Sequence, residues 1–173
     1  ERYGGLGVEM VQGHARLTDP WTVAIRSEDG AELQLTSRAI ILATGAAPFV
    51  PPLPGLEETG YLTSDTLWDA FADRDHLPAR LAILGGGPIG CELAQAFARL
   101  GVSVSLIEMA PRLLLREDDD VSAFARARLE QDGVQVLTGH RAVCCGHTAN
   151  HKWIETEADG KTHRILCDDL IVA

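Results

Sequence analysis

Gly85, Gly87 and Gly90 stand at G-x-G-x-x-G spacing, directly after the apolar run 81–84 and at the start of a helix-like stretch that reaches Leu100. The glycines gain a chemical meaning from that context. Gly85 permits a tight turn, a bare backbone at Gly87 lets a pyrophosphate approach, and Gly90 lets the helix lie close against the strand. Gly86, Pro88 and Ile89 complete the turn, where unpaired N–H groups and the positive end of a helix dipole would meet the anion. The second element is Glu108, at the end of the next strand-like run, 102–107. A carboxylate there accepts hydrogen bonds from a ribose with a free 2′-OH and repels a 2′-phosphate, so NAD is expected over NADP. Two alternatives stay open: Arg112 reaches a 2′-phosphate if its loop folds back, and Glu108 also reads as a solvated acid at a strand end.

The elements needed to hold these residues are legible around them. After Pro78 the order is strand (81–84), helix (to Leu100, ended by Gly101), strand (102–107) and helix. The second helix opens on Asp118-Asp119-Asp120, has Val121, Phe124, Ala125 and Leu129 as its apolar face, and closes at Gly133. A strand at 134–137 follows, then runs 153–157 and 163–166 about a turn at Asp159-Gly160, and a last strand after Asp168-Asp169. This order predicts an α/β fold, a Rossmann-like parallel sheet carrying a small β-meander. Residues 139–152 show neither helical nor strand periodicity. Before Pro78, Ser64 is the expected N-cap of a short helix with Leu67, Trp68 and Phe71 on one face.

The first third reads as β-rich. Runs 8–17, 21–27 and 31–37 alternate in part, and Asp29-Gly30 is a hairpin signal between the last two. Residues 38–43 form a continuous run of the kind buried on both faces of a parallel sheet. Four prolines in 48–54 then exclude helix and central strand, marking a linker. Gly4-Gly5-Leu6-Gly7 has no strand before it and reads as a loop.

Composition narrows the function classes. A net charge of −10 with a pI near 4.9 would repel a phosphate backbone, so nucleic acid is excluded as a partner. No apolar stretch is long enough to span a bilayer. The four cysteines form no C-x-x-C pair, which fits a reducing compartment, and a cytoplasmic location is expected. Cys144-Cys145 reads as two ordinary thiols, Cys91 as packing against the sheet, and Cys167 as core. The spacing of His140, His147, His151 and His163 matches no standard zinc pattern, so no metal site is expected. Trp21, Trp68 and Trp153 are read as structural.

Taken together, 82–94 (Ala-Ile-Leu-Gly-Gly-Gly-Pro-Ile-Gly-Cys-Glu-Leu-Ala), Leu100-Gly101-Val102-Ser103-Val104, Ile107-Glu108 and Pro111-Arg112-Leu113-Leu114 resemble the NAD(P) domain of the pyridine nucleotide-disulfide oxidoreductase family. Ile41-Leu42-Ala43-Thr44-Gly45-Ala46-Ala47-Pro48 and Pro52-Leu53-Pro54-Gly55 resemble the segment that in this family passes beside FAD before entering the nucleotide domain. The resemblance implies a partial FAD-binding domain at 1–53, with Thr44 and Gly45 near the flavin, and an NAD(P)-binding domain at 54–173. It also implies that Glu92 sits near the nicotinamide and flavin rings and that Ala142 passes the adenine. Glu92 reads equally as a helix-start acid. The family's flavin-phosphate turn, redox cysteine pair and His-Glu base pair match nothing here. The chain is therefore expected to be a trimmed part, not catalytically complete alone, of an enzyme that moves a hydride between NAD(H) and FAD. Its expected partners are NAD(H) and the rest of the parent, including its FAD and dimerisation domains, in a homodimer. A stand-alone dinucleotide-binding or regulatory module without flavin is the alternative.

Overall fold

The computed structural model describes residues 3–72 and 74–173, which divide into two compact units on either side of the Ala46–Ala47 boundary. The first holds a three-stranded antiparallel sheet in the order β1 (His14–Asp19), β2 (Thr22–Arg26), β3 (Glu32–Thr36). Asp29-Gly30 makes the expected turn: Gly30 takes a left-handed φ of 87°, and the Asp29 carboxylate accepts from the Ser27 hydroxyl and the Ala31 N–H. The run expected from Val8 becomes strand only at His14; before it, 8–13 are irregular and exposed. Residues 38–43 correct the reading of a doubly buried strand. They are irregular, with Ile41 91% exposed. A parallel strand needs a hydrogen-bonded neighbour, and among the described residues none pairs with this run.

The second unit has three layers. Its middle is a parallel sheet in the order β10 (Asp169–Val172), β4 (Arg80–Leu84), β5 (Ser103–Glu108), β6 (Gln135–Thr138). Period-2 alternation sends Leu81 and Ile83, with Val104 and Leu106, to one face. There they meet Leu93, Ala94 and Phe97 of α3 (Pro88–Arg99) and Leu129 of α4 (Asp119–Gln131). Ala82, Ile107, Leu170 and Val172 point the other way, onto Cys145, Ile154 and Cys167 of the antiparallel layer β7 (Arg141–His147), β8 (Lys152–Ala158), β9 (Lys161–Cys167). Each fully buried Leu or Ile here contributes about 1.5–3 kcal/mol relative to exposure. The β-meander, expected from two runs, thus has a third strand, β7. Its register slips between Ala142 and Cys144, and that bulge hides the alternation.

Four helical details differ from expectation. A four-residue helix, α1 (Leu56–Thr59), follows the proline segment, and α2 spans Leu67–Ala72. Thr63, not Ser64, organises the start of α2: its hydroxyl accepts from the Asp65 N–H, its carbonyl accepts from the Leu67 N–H, and its own N–H donates to Thr66 Oγ1. Leu67 is fully buried while Trp68 is 65% exposed, so the buried face is narrower than predicted. On α4, Val121 and Phe124 are exposed and the inward residues are Ser122 and Leu129. Ser122 is admitted to the core because its hydroxyl donates to the Leu113 carbonyl at 2.7 Å. Of the tryptophans, Trp21 and Trp68 are exposed; Trp153 packs over Gly146 with the Arg164 guanidinium 4.3 Å from its ring.

Ion pairs lock the amino ends of β4 and β10. Asp168 accepts from the Arg80 backbone N–H at 2.9 Å and from its guanidinium at 2.6 Å, and this bonding holds its carboxyl below the usual aspartate range. A depressed folded value means that the unfolded chain binds the proton more tightly. The contribution is therefore present above the unfolded aspartate value and lost as pH falls through the folded one. Thermal melting from pH 7 to pH 3 is expected to show this loss, and Asp168→Asn to flatten the lower part of the curve; identical curves would remove the pair from the acid response.

Candidate nucleotide site

The glycine turn occupies the carboxyl end of β4. Gly85 has φ 117°, and a Cβ there would lie 2.2 Å from the Ala173 carbonyl oxygen, so the turn needs glycine for both conformation and space. At Gly90 a Cβ would lie 1.9 Å from the Gly85 oxygen, which is how closely α3 approaches the strand. Gly87 differs: it is the extended N-cap of α3, and nothing lies within 4 Å of where its Cβ would be. Pro88 follows as the first helical residue, where a missing N–H is tolerated, and Ile89 is exposed beside it.

Glu108 ends β5 beside this turn. Its carboxylate accepts from the Gly86 N–H at 2.6 Å and from the Ala110 N–H at 2.7 Å, so it is held rather than merely solvated. The Gly86 carbonyl is also bonded, to the Leu114 N–H at 2.9 Å. Buried Leu113 lies directly under Gly86, leaving 2.6 Å for any Cβ. Arg112 does not fold back toward the turn. Its guanidinium donates to the carbonyls of Glu117 (2.7 Å) and Leu115 (3.0 Å), more weakly to Leu114 (3.4 Å), and its Nε faces the Asp119 carboxylate at 3.2 Å.

A cavity of about 260 Å³ opens next to Glu108, lined by Gly85, Met109, His140 and Ala142 among others. Ala142, half-buried on β7, thus shares a wall with Glu108. His140, in the turn between β6 and β7, is a site residue that its sequence spacing does not reveal, because the end of β5 holds this turn. Its N–H donates to the Glu108 carbonyl at 3.0 Å, and its Nδ1 lies 2.9 Å from the Thr156 hydroxyl. Burial, and then the nearby His163 ring, hold His140 below the ordinary imidazole value. Glu92 is exposed on α3, one turn beyond the helix start, since the first turn holds no acid. Thr44 and Gly45 belong to the first unit, in its irregular exposed segment, with Gly45 at φ 71°.

The thiols are all free and all shifted upward. Burial, with Glu108 and Glu92 nearby, pushes Cys91 up to about 11, and burial pushes Cys167 up to about 12. Cys144 faces Glu155, while Cys145 is buried beside the Pro54 carbonyl. Among the described residues, no three His, Cys, Asp or Glu side chains gather to hold a metal ion, and no helix is long and apolar enough to cross a membrane.

The chain is 32% identical over 167 residues to the mercuric reductase of Bacillus cereus, covering 96% of this chain and 25% of the relative. It is 33% identical to the dihydrolipoyl dehydrogenase of Thermus scotoductus, covering 98% and 35%. Its fold matches that of a mutant of the HOCl-induced flavoprotein disulfide reductase RclA from Escherichia coli, solved as a Cu(II) complex, with a TM-score of 0.74 and 30% identity over 95% of this chain and 36% of that one. The chain thus spans about a quarter to a third of the length of these relatives. A family match runs through residues 3–173, and the chain belongs to the pyridine nucleotide-disulphide oxidoreductase family.

Proposed function

We propose that this chain is the NAD(H)-binding part, with a flanking portion of the FAD domain, of a flavoprotein that moves a hydride between NAD(H) and FAD. The observation that carries this reading is Glu108, pinned by two backbone N–H groups at the edge of a glycine turn whose central position, Gly87, is open. The residues fit a dinucleotide. Because the Gly86 N–H is engaged by Glu108, Pro88 has none and the Cys91 N–H donates to the Gly87 carbonyl, the donors left for a pyrophosphate are those of Gly87, Ile89 and Gly90. Ala142 and the cavity wall beside Glu108 would take the adenine. The exposed Glu92 carboxylate would lie toward the nicotinamide, and Thr44 and Gly45 toward the flavin. When bound, the nicotinamide and flavin supply the hydride chemistry, while this chain supplies position and charge. A match that runs through both units supports this reading over a lone dinucleotide module. The whole protein is proposed to be a homodimeric cytoplasmic enzyme.

NAD is the proposed nucleotide. Glu108 would accept from the ribose hydroxyls and repel a 2′-phosphate, and Arg112, the cation four residues on, is engaged elsewhere. A hydrogen bond to a charged group, about 1.5–3 kcal/mol, corresponds to roughly tenfold to a hundredfold in affinity. Calorimetric titration is expected to show NADH binding tighter than NADPH by that factor, and Glu108→Ala to narrow the gap. Equal or tighter NADPH binding would sink the assignment.

A further inference from the structure

Gly86 is bonded at both ends of its backbone, N–H to Glu108 and carbonyl to Leu114, so the turn is held from outside by the end of β5 and by the segment that follows it. That segment has no regular structure of its own. Leu114 sits at φ 49°, a left-handed conformation that a leucine rarely adopts unless its surroundings impose it. The Arg112 guanidinium gathers the Leu114, Leu115 and Glu117 carbonyls onto one planar fork, and the Asp119 carboxylate adds a fourth contact from the start of α4. Three further polar contacts hold this stretch: the Glu117 N–H on the Leu114 carbonyl at 2.8 Å, the Ser122 hydroxyl on the Leu113 carbonyl, and the Gly139 N–H on the Ala110 carbonyl; Arg112 alone among them binds several of its carbonyls at once.

We propose that Arg112 is a positioning residue for dinucleotide binding: by folding residues 113–117 into a strap, it brings the Leu114 N–H onto the Gly86 carbonyl and so fixes the peptide that aims the Gly87 N–H. The inference rests on the nucleotide reading above and adds to it a residue that touches neither ribose nor phosphate. It also reverses the role open to Arg112 in the sequence, that of a 2′-phosphate partner. Lysine cannot replace it, because one ammonium does not span several diverging carbonyls as a guanidinium fork does. Asp119 is almost fully exposed, so its pairing contributes little and the carbonyls carry the effect.

The test titrates NADH and NADPH against the unsubstituted chain, Arg112→Gln, Arg112→Lys and Asp119→Asn, below their melting temperatures, with amide exchange of Leu114 followed without nucleotide. Arg112→Gln is expected to weaken both nucleotides equally, about tenfold, and to expose the Leu114 amide while β8 and β9 stay protected. Arg112→Lys should recover little of this, and Asp119→Asn should leave binding nearly unchanged. A purely structural role would lower the melting temperature without moving these affinities. Selective loss of NADPH would overturn the proposal by placing Arg112 on the 2′-phosphate. Unchanged binding, or a Leu114 amide still protected in Arg112→Gln, would overturn it as well. If Arg112→Gln does not fold, unchanged binding in Arg112→Lys overturns it on its own. Failure of the unsubstituted chain to bind either nucleotide would instead overturn the dinucleotide reading and the positioning role with it, while the exchange data would still show whether Arg112 holds the strap.

Discussion

Valine at position 87 is expected to eliminate detectable NADH binding, a loss of more than about a hundredfold or ~2.7 kcal/mol, from a chain that still folds. No atom lies within 4 Å of where a Cβ at Gly87 would stand and the backbone is extended, at φ −75° and ψ −176°, so a valine there begins in open space without backbone strain. It would instead fill the place where a pyrophosphate must approach the helix terminus. Gly90→Val makes the contrast. There the added carbon would stand 1.9 Å from the Gly85 oxygen, so α3 would have to move away from β4. Circular dichroism and thermal melting should report an intact fold for Gly87→Val and a damaged one for Gly90→Val, with calorimetry showing no NADH binding by either. Retained binding in Gly87→Val would mean that the glycines serve only the turn.

Arg74→Ala is expected to give the largest loss of stability among single charge substitutions in the second unit. Asp169 opens β10 with its side chain 8% exposed, and its carboxylate accepts from both terminal nitrogens of Arg74, at 2.5 and 3.3 Å. Lys152, at 3.9 Å, is a distant second partner. Removing the arginine leaves a buried carboxylate poorly compensated, which in fully buried pairs costs 3–5 kcal/mol. Arg74 is 38% exposed and water can partly replace it, so about 2–3 kcal/mol is expected in denaturant unfolding. The double replacement Arg74→Met with Asp169→Leu should recover most of that loss, since an apolar pair leaves no stranded charge. A loss below about 0.5 kcal/mol for Arg74→Ala would place the pair among ordinary surface contacts.

The parallel sheet and the glycine turn were legible because their signals are local: an apolar run, a glycine spacing, a helix end at Gly101. Glu108 was legible as a strand-end acid, although its two backbone donors were not, since Ala110 and Gly86 meet it only in three dimensions. Where one residue's partner comes from afar, the sequence misled. The bulge after Ala142 broke the alternation of β7, and His140 was hidden because it reaches Glu108 from a turn with no periodicity of its own. Ser122 looked like an outward residue on α4, yet the Leu113 carbonyl satisfies it inside, and Phe124 takes the solvent face with Arg128 beside its ring. Residues 38–43 show the opposite failure, for their composition suits a buried strand but composition cannot supply a neighbour. Arg112 was ambiguous because its direction depends on how the five residues after it fold.

The order of strands in the parallel sheet bears on how the site comes into being. β4 begins the second unit's sheet, but its neighbour on one side, β10, joins it across 88 residues at the Arg80–Asp168 contact. Leu62 lies beyond β10 and hydrogen-bonds to Leu170 and Val172, so a still earlier segment waits on the same strand. Contacts so distant in sequence require closing a long loop before they return any stabilisation, and they slow folding accordingly. The left-handed turn at Gly85 packs against the Ala173 carbonyl, at the far end of that loop. During synthesis α3 can therefore form early, while the glycine turn takes its final shape only after β10 has inserted between β4 and Leu62.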